Sequence, residues 1–125
     1  MVDVSDLIGI PYKEHGRDKS GMDCYGLVME VAKRFGVNLP DFDYETHTDE
    51  FFNTNAIDCI KSGKPKKIHT LVEGALILFA NSRGQMIHIG IYLGDGYIVH
   101  CNYQGVHLQK LTTLKQKMEI YVWQK

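Results

Sequence analysis

The patterning of the 125 residues predicts an α+β fold in a single domain, residues 1–125. Two observations carry the expectation. Leu27, Val28, Val31, Ala32 and Phe35 form one apolar stripe at helical spacing. After Gly74 the character turns to short β-branched and aromatic runs, "ALILFA", "MIHIGIYLG", "YIVHCN", "GVHLQKL" and "MEIYVWQ", parted by "NSRGQ", "GDG" and "YQG". Helices first and a meander afterwards predict N-terminal helices packed on one face of an antiparallel five-stranded sheet.

In chain order, Val4, Leu7 and Ile8 have helical spacing and predict a short first helix that "GIP" at Gly9–Pro11 stops. The second helix starts at Asp23, a favoured N-cap residue, and Gly36 stands where a left-handed cap would end it. From about Thr48 a third, weaker helix is expected, with Phe52, Ala56, Cys59 and Ile60 on one side. "KSGKPKK" at Lys61–Lys67 lacks aromatic residues and carries Gly and Pro, so it reads as a solvated loop.

Composition narrows the function classes. Fourteen Lys and Arg against fifteen Asp and Glu give a net charge of −1, so no broad phosphate-binding face is expected and nucleic acid is not a partner. Hydrophobic residues make up 44%, enough for a real core. Cys24, Cys59 and Cys101 are odd in number and contain no CxxC pair, which disfavours a disulfide framework or a zinc module. "MVDVSDLIGI" is acidic and short in apolar length, so it does not read as a signal peptide, and no run approaches the ~20 apolar residues of a membrane span. The expectation is synthesis in a cytoplasm, with any work outside it requiring another delivery route.

Cys24 opens the best helix, between Gly21 and Gly26. Free N–H groups and the positive end of the helix dipole stabilise a thiolate there, which lowers a thiol's pKa. A base for it must come from six histidines. His15, His47 and His69 stand in polar, loop-like surroundings. His88 interrupts an apolar strand, sharing one face with Met86, Gly90 and Tyr92 while Ile87, Ile89, Ile91 and Leu93 take the other. A three-residue turn "GDG" would pair Leu93 with Tyr97, set Gly90 opposite His100 and make the two imidazoles diagonal neighbours; a two-residue turn would flip the parity. A cysteine, a base and a second histidine that orients the base make an activated nucleophile. A zinc site of Cys24, His88 and His100 is the other chemical option, without a clear fourth ligand.

The blocks "PYKEHGRDKSGMDCYGLV", "EGALILFA" and "HIGIYLGDGYIVHC" resemble the NlpC-type (NlpC and p-sixty) cell-wall cysteine peptidases, particularly the compact versions encoded with bacteriophage tail proteins. The resemblance implies a papain-like fold, no cofactor or metal, and a substrate in the stem peptides of peptidoglycan, commonly cut between D-glutamate and a diamino acid. It matches Cys24 to the nucleophile, His88 to the base and His100 to the orienting residue. Tyr12 matches a tyrosine beside the nucleophile, and Asp23 a residue that binds a substrate amine. Tyr25 stands where the family often has Ser, Glu14, His15 and Gly16 where it often has Trp-Gly-Gly, and Ala75 where it usually has Asp. Tyr12, Asp23 and Tyr25 are therefore the expected substrate-binding or oxyanion-supporting residues. The expected activity is a peptidoglycan endopeptidase at the bacterial wall, with phage tail proteins as partners. The rival readings are a related thiol amidase or acyltransferase and a structural tail component without turnover.

Overall fold

The computed structural model describes residues 2–42 and 58–123, without the Cys59 side chain. After an opening run of turns the elements are β1 (Arg17–Asp18), β2 (Gly21–Met22), α1 (Cys24–Arg34), α2 (Asp58–Ser62), β3 (Lys66–Ile68), β4 (Leu76–Ala80), β5 (Met86–Gly94), β6 (Tyr97–Asn102), β7 (Gly105–Lys110), a 3-10 turn (Leu111–Thr113) and β8 (Met118–Val122). β1 and β2 form a small hairpin, and the rest form one antiparallel sheet of six strands in the order β3-β8-β4-β5-β6-β7.

The first helix expected at Val4–Ile8 is instead a series of turns, with Leu7 N–H on the Val4 carbonyl and Ile10 N–H on that of Leu7. Gly9 and Pro11 leave too few residues to offset helix nucleation. Gly9 N–H goes instead to the Val106 carbonyl, which ties the segment to β7. Leu7 is nevertheless fully buried, so the apolar pattern located core residues while the backbone took another form.

α1 ends as its sequence signals. Val37 N–H bonds the Ala32 carbonyl and Gly36 N–H that of Lys33, with Gly36 at φ +84°, a Schellman cap. Leu27, Val28 and Val31 are fully buried and pack against Leu76, Leu78, Ile89, Ile91 and Val99 of the sheet. The sheet's other face is covered by the chain that follows β7: Leu111 and Leu114 pack on Ala75, Ile77, Phe79 and Ile98. β4 is buried throughout, which explains why "ALILFA" shows no polar alternation.

The five-stranded expectation is corrected to six strands. "KSGKPKK" was expected to be a loop, yet Lys66 and Lys67 open β3, paired with Val122 and Tyr121 of β8. Edge strands carrying lysines look like solvated loops because their ladder partner is supplied from far along the chain. The meander also stops at β7, because β8 returns to the far side of β4. Most of the third expected helix, including Phe52 and Ala56, lies outside the described residues, and its end is α2, where Ile60 is buried.

The β5–β6 hairpin reaches the expected register by another route. Gly90 faces His100, Ile91 faces Val99 and Tyr92 faces Ile98, but Tyr97 pairs with Gly94 rather than Leu93. The turn is the two-residue Asp95-Gly96 with φ +54° and +82°, the type I′ pattern. Leu93 is an extra residue in β5, a bulge. The shorter turn would flip the parity and the bulge flips it back, so His88 and His100 keep a common face.

Candidate active site

Asp23 caps α1, its Oδ1 accepting Gly26 N–H at 2.7 Å, and Cys24 follows as the first helical residue. A Cβ on Gly26 would run into the Gly16 carbonyl, so the glycine lets the β1–β2 hairpin lie against the first turn. Arg17 of that hairpin sends Nη1 to Asp23 Oδ1 at 2.8 Å and to the Gly16 carbonyl at 2.9 Å, while also bridging to Asp41. The Ile89 and Tyr25 backbone N–H groups favour the charged form of the Cys24 thiol, and Cys24 and His88 line the same cleft.

His88 Nε2 lies 2.8 Å from His100 Nδ1, and His100 Nε2 lies 2.8 Å from Gln109 Oε1. The diagonal placement expected of the two imidazoles is thus a direct hydrogen bond. His107, paired with His100 across β6 and β7, sets its ring 4.3 Å from the His100 ring. Tyr12, Asp23, Cys24, His88, His100, His107 and Gln109 line one cleft of about 480 Å³.

The cleft resists charge. Burial, together with His100 and His107, pushes the His88 imidazole down to about 3. Burial also lowers His100, against the opposing bond to Gln109. Position at a helix N-terminus was expected to lower the Cys24 pKa. Burial, followed by the neighbouring Asp23, instead pushes the thiol well above its ordinary value, outweighing the Ile89 and Tyr25 N–H groups. Both shifts favour the uncharged forms, thiol and imidazole. Tyr12, half-buried and edge-on to Tyr103 at 4.8 Å, keeps its hydroxyl proton because burial raises its pKa, so it is a donor in the cleft.

Two expected contacts fall differently. Tyr25 does not line the cleft: it is 1% exposed, its hydroxyl donates to the Pro40 carbonyl at 2.6 Å and its ring packs on Phe42. It anchors the loop after α1, an aromatic side chain in the first turn drawn into the core. Asp23 does line the cleft, but its Oδ1 is already engaged by the helix and by Arg17. For a metal site the donor set fits poorly, since both ring nitrogens of His100 and Nε2 of His88 are committed to hydrogen bonds. Ala75, in the position where the family has Asp, is fully buried against the second face.

Gln109 is a residue that the sequence reading missed, and His107, one of the six candidate histidines, was not placed beside His100. Their signal was present: "GVHLQKL" alternates, and extending the register across the "YQG" turn puts His107 opposite His100, with Gln109 one same-face step along.

Residues 9–124 match the family model described as the NlpC/P60 family. The chain belongs to the NlpC/P60 family. Among curated relatives it is similar to the murein DD-endopeptidase MepS/murein LD-carboxypeptidase of Escherichia coli, 33% identical over 104 residues that make up 82% of this chain and 47% of the relative. It is also similar to the gamma-D-glutamyl-L-lysine dipeptidyl-peptidase of Bacillus subtilis, 28% identical over 85% of this chain and 32% of the relative. The chain thus spans less than half the length of these relatives. Among solved structures, the NlpC/p60 domain of the peptidoglycan hydrolase SagA superposes with a TM-score of 0.60 at 22% identity, covering 92% of this chain and 89% of that one. NlpC2 from Trichomonas vaginalis gives 0.67 at 19% identity, over 96% and 44% of the two chains. These likenesses place the fold in the papain-like NlpC/P60 group, and the relatives' names are consistent with a cysteine endopeptidase.

Proposed function

We propose that this NlpC/P60 chain is a cysteine endopeptidase that hydrolyses amide bonds in peptidoglycan stem peptides, with Cys24 as nucleophile, His88 as base and His100 as the residue that orients the base. The observation that carries the reading is that Cys24, the first residue of α1, lines the same cleft as the hydrogen-bonded His88–His100 pair. Nucleophile, base and orienting group from three elements in one concave site make the constellation acyl transfer requires.

In this mechanism Cys24 attacks the amide carbon while His88 takes the thiol proton. The Cys24 backbone N–H and the Tyr12 hydroxyl stabilise the oxyanion. Collapse breaks the C–N bond, His88 returns the proton to the leaving amine, and a thioester remains on Cys24. Water, deprotonated by His88, then hydrolyses the thioester to a carboxylate and the free thiol. Asp23 takes part chiefly by capping the nucleophile's helix.

For the bond we propose D-glutamate to diamino acid, supported by the family resemblance and the name of the Bacillus subtilis relative. The Escherichia coli relative carries another specificity in its name, so a D-alanyl cross-link is the competing substrate. Delivery to the wall with a phage tail is the part of the reading that rests on sequence resemblance alone. Digestion of purified muropeptides followed by mass spectrometry tests the proposal. New fragments ending in D-glutamate are expected. Cleaved cross-links with intact stems would move the specificity, acyl-transfer products would favour a transferase, and unchanged muropeptides would overturn the endopeptidase reading.

A further inference from the structure

A chain of hydrogen bonds runs away from the base to the protein backbone. Thr113 Oγ1 lies 2.7 Å from the Lys110 carbonyl, Gln109 Nε2 lies 3.1 Å from Thr113 Oγ1, and Gln109 Oε1 meets His100 Nε2. A carbonyl only accepts, so the single Thr113 hydroxyl proton goes to Lys110. With that proton spent, the group of Gln109 that lies 3.1 Å from Thr113 Oγ1 must be a donor, its amide NH2. That turns the amide oxygen of Gln109 toward His100. An amide oxygen also only accepts, so His100 carries its proton on Nε2 and leaves Nδ1 as a lone pair. The partner of that lone pair is His88 Nε2, which must therefore be the protonated nitrogen.

We infer that Gln109 and Thr113 are positioning residues that set the tautomer of the base, holding His88 as the Nε2–H form so that Nδ1 is the nitrogen free to take the Cys24 proton. The inference rests on the proposed roles of Cys24, His88 and His100 and extends them by two residues from β7 and the 3-10 turn after it. Direction along the chain originates in a backbone carbonyl, which cannot be reversed. With the opposite tautomer, His88 would present an N–H to the thiol and no lone pair. Proton balance is simple: Nδ1 receives the thiol proton, Nε2 keeps its own, and the resulting imidazolium still donates to His100. Nothing beyond His88 needs to move a proton during turnover.

Gln109 is half-buried and Thr113 is exposed, so both tolerate substitution without opening the core. Long-range 15N–1H correlation spectra read the tautomers directly, and spectra of the Cys24→Ala protein read them without turnover. The expected spectrum shows both His88 and His100 protonated on Nε2. Gln109→Met, which keeps length and removes the acceptor, is expected to mix the tautomers and lower kcat on a stem-peptide substrate about 10-fold or more with KM little changed, the range typical of an orienting partner. Thr113→Val frees the amide to flip and should lower kcat several-fold, while Thr113→Ser, which restores the hydroxyl, should recover it. An Nδ1–H tautomer on His88, or a tautomer pattern and kcat unmoved by both Gln109→Met and Thr113→Val, overturns the inference while leaving the nucleophile and base intact. Undiminished turnover in Cys24→Ala would instead overturn the catalytic reading beneath it, whatever the tautomers show.

Discussion

Gly90 lies directly opposite His100 in the β5–β6 ladder, and a Cβ placed on Gly90 would sit 3.2 Å from both the His100 Cβ and the Val99 carbonyl oxygen. The absent side chain is what allows His100 to occupy the space beside His88. Gly90→Ala forces those atoms apart by a few tenths of an ångström, on a strand held by ladder bonds on both sides. Overpacking of this kind costs about 1–3 kcal/mol. Because the displaced atom belongs to the histidine proposed to orient the base, kcat is expected to fall about 10-fold or more, beyond the loss explained by unfolding. Kinetics at a temperature well below the melting point, with crystallographic measurement of the His88–His100 distance, checks this. An unchanged 2.8 Å bond with full activity would show that the close approach is not what holds His100.

The Arg17–Asp23 pair anchors the nucleophile's helix from beneath. Asp23 is 0% exposed, and the guanidinium of Arg17 is its cationic partner at 2.8 Å. Arg17→Met leaves a buried carboxylate without that partner and is expected to destabilise the fold by about 3 kcal/mol or more, read from urea melts. Asp23→Asn added to Arg17→Met keeps a helix cap and removes the buried charge, so it should recover part of the loss. A double variant less stable than Arg17→Met alone would mean that Asp23 draws its stability from elsewhere.

The histidine pair makes stability depend on pH with a definite sign. His88 is held neutral down to about 3, and His100 is also shifted down, whereas both take up a proton near ~6.5 in the unfolded chain. Below ~6.5 the unfolded state binds protons that the folded state refuses, so stability is full above that pH and is lost as pH falls toward 3, at up to about 1.4 kcal/mol per unit from His88 alone. The groups that act on His88 electrostatically are His100 and His107, and the other titratable residues lining its cleft are Tyr12, Asp23, Cys24, Cys101 and Tyr103. His88→Leu is therefore expected to lose less stability than the native chain between pH 7 and pH 4. On an uncharged amide substrate, kcat/KM should show no acid limb near ~6.5, the unperturbed imidazole value. A limb there would mean that the base is solvated in the working enzyme.

The Asp95-Gly96 turn offers a clean backbone test. Asp95 sits at φ +54°, where Asn is at home and a β-branched residue is not. Asp95→Asn should be silent in melting temperature and turnover, while Asp95→Val should cost about 1–3 kcal/mol of backbone strain. Equal behaviour of the two variants would contradict the type I′ assignment.

Much of the site was legible because it follows from local rules. The N-cap at Asp23 and the apolar stripe located α1 and its first residue. Strand alternation put His88 and His100 on one face with Gly90 between, and the resemblance of these blocks to a known family pointed to the same three residues. What the sequence hid depends on distant partners. β3 is a strand only because β8 lies beside it, and β8 leaves the meander because the chain after β7 is needed to cover Phe79 and Ile98. The Leu93 bulge and the shorter turn are two departures that cancel, so the register was reached through an incorrect turn. Tyr25 and the Cys24 thiol share one feature that the sequence hid: a first-turn position signals exposure, whereas both side chains are buried, Tyr25 beside Pro40 and Phe42.

The central claim is that Cys24 carries the acyl group, and intact-protein mass spectrometry after acid quenching of a reaction with a stem-peptide substrate tests it most directly. The native chain is expected to gain the mass of the acyl fragment, and peptide mapping should place the adduct on Cys24 while Cys59 and Cys101 remain free. Cys24→Ala should gain no mass and lose at least ~10³-fold in hydrolysis. An adduct on any other residue, or hydrolysis that survives in Cys24→Ala, would contradict the account.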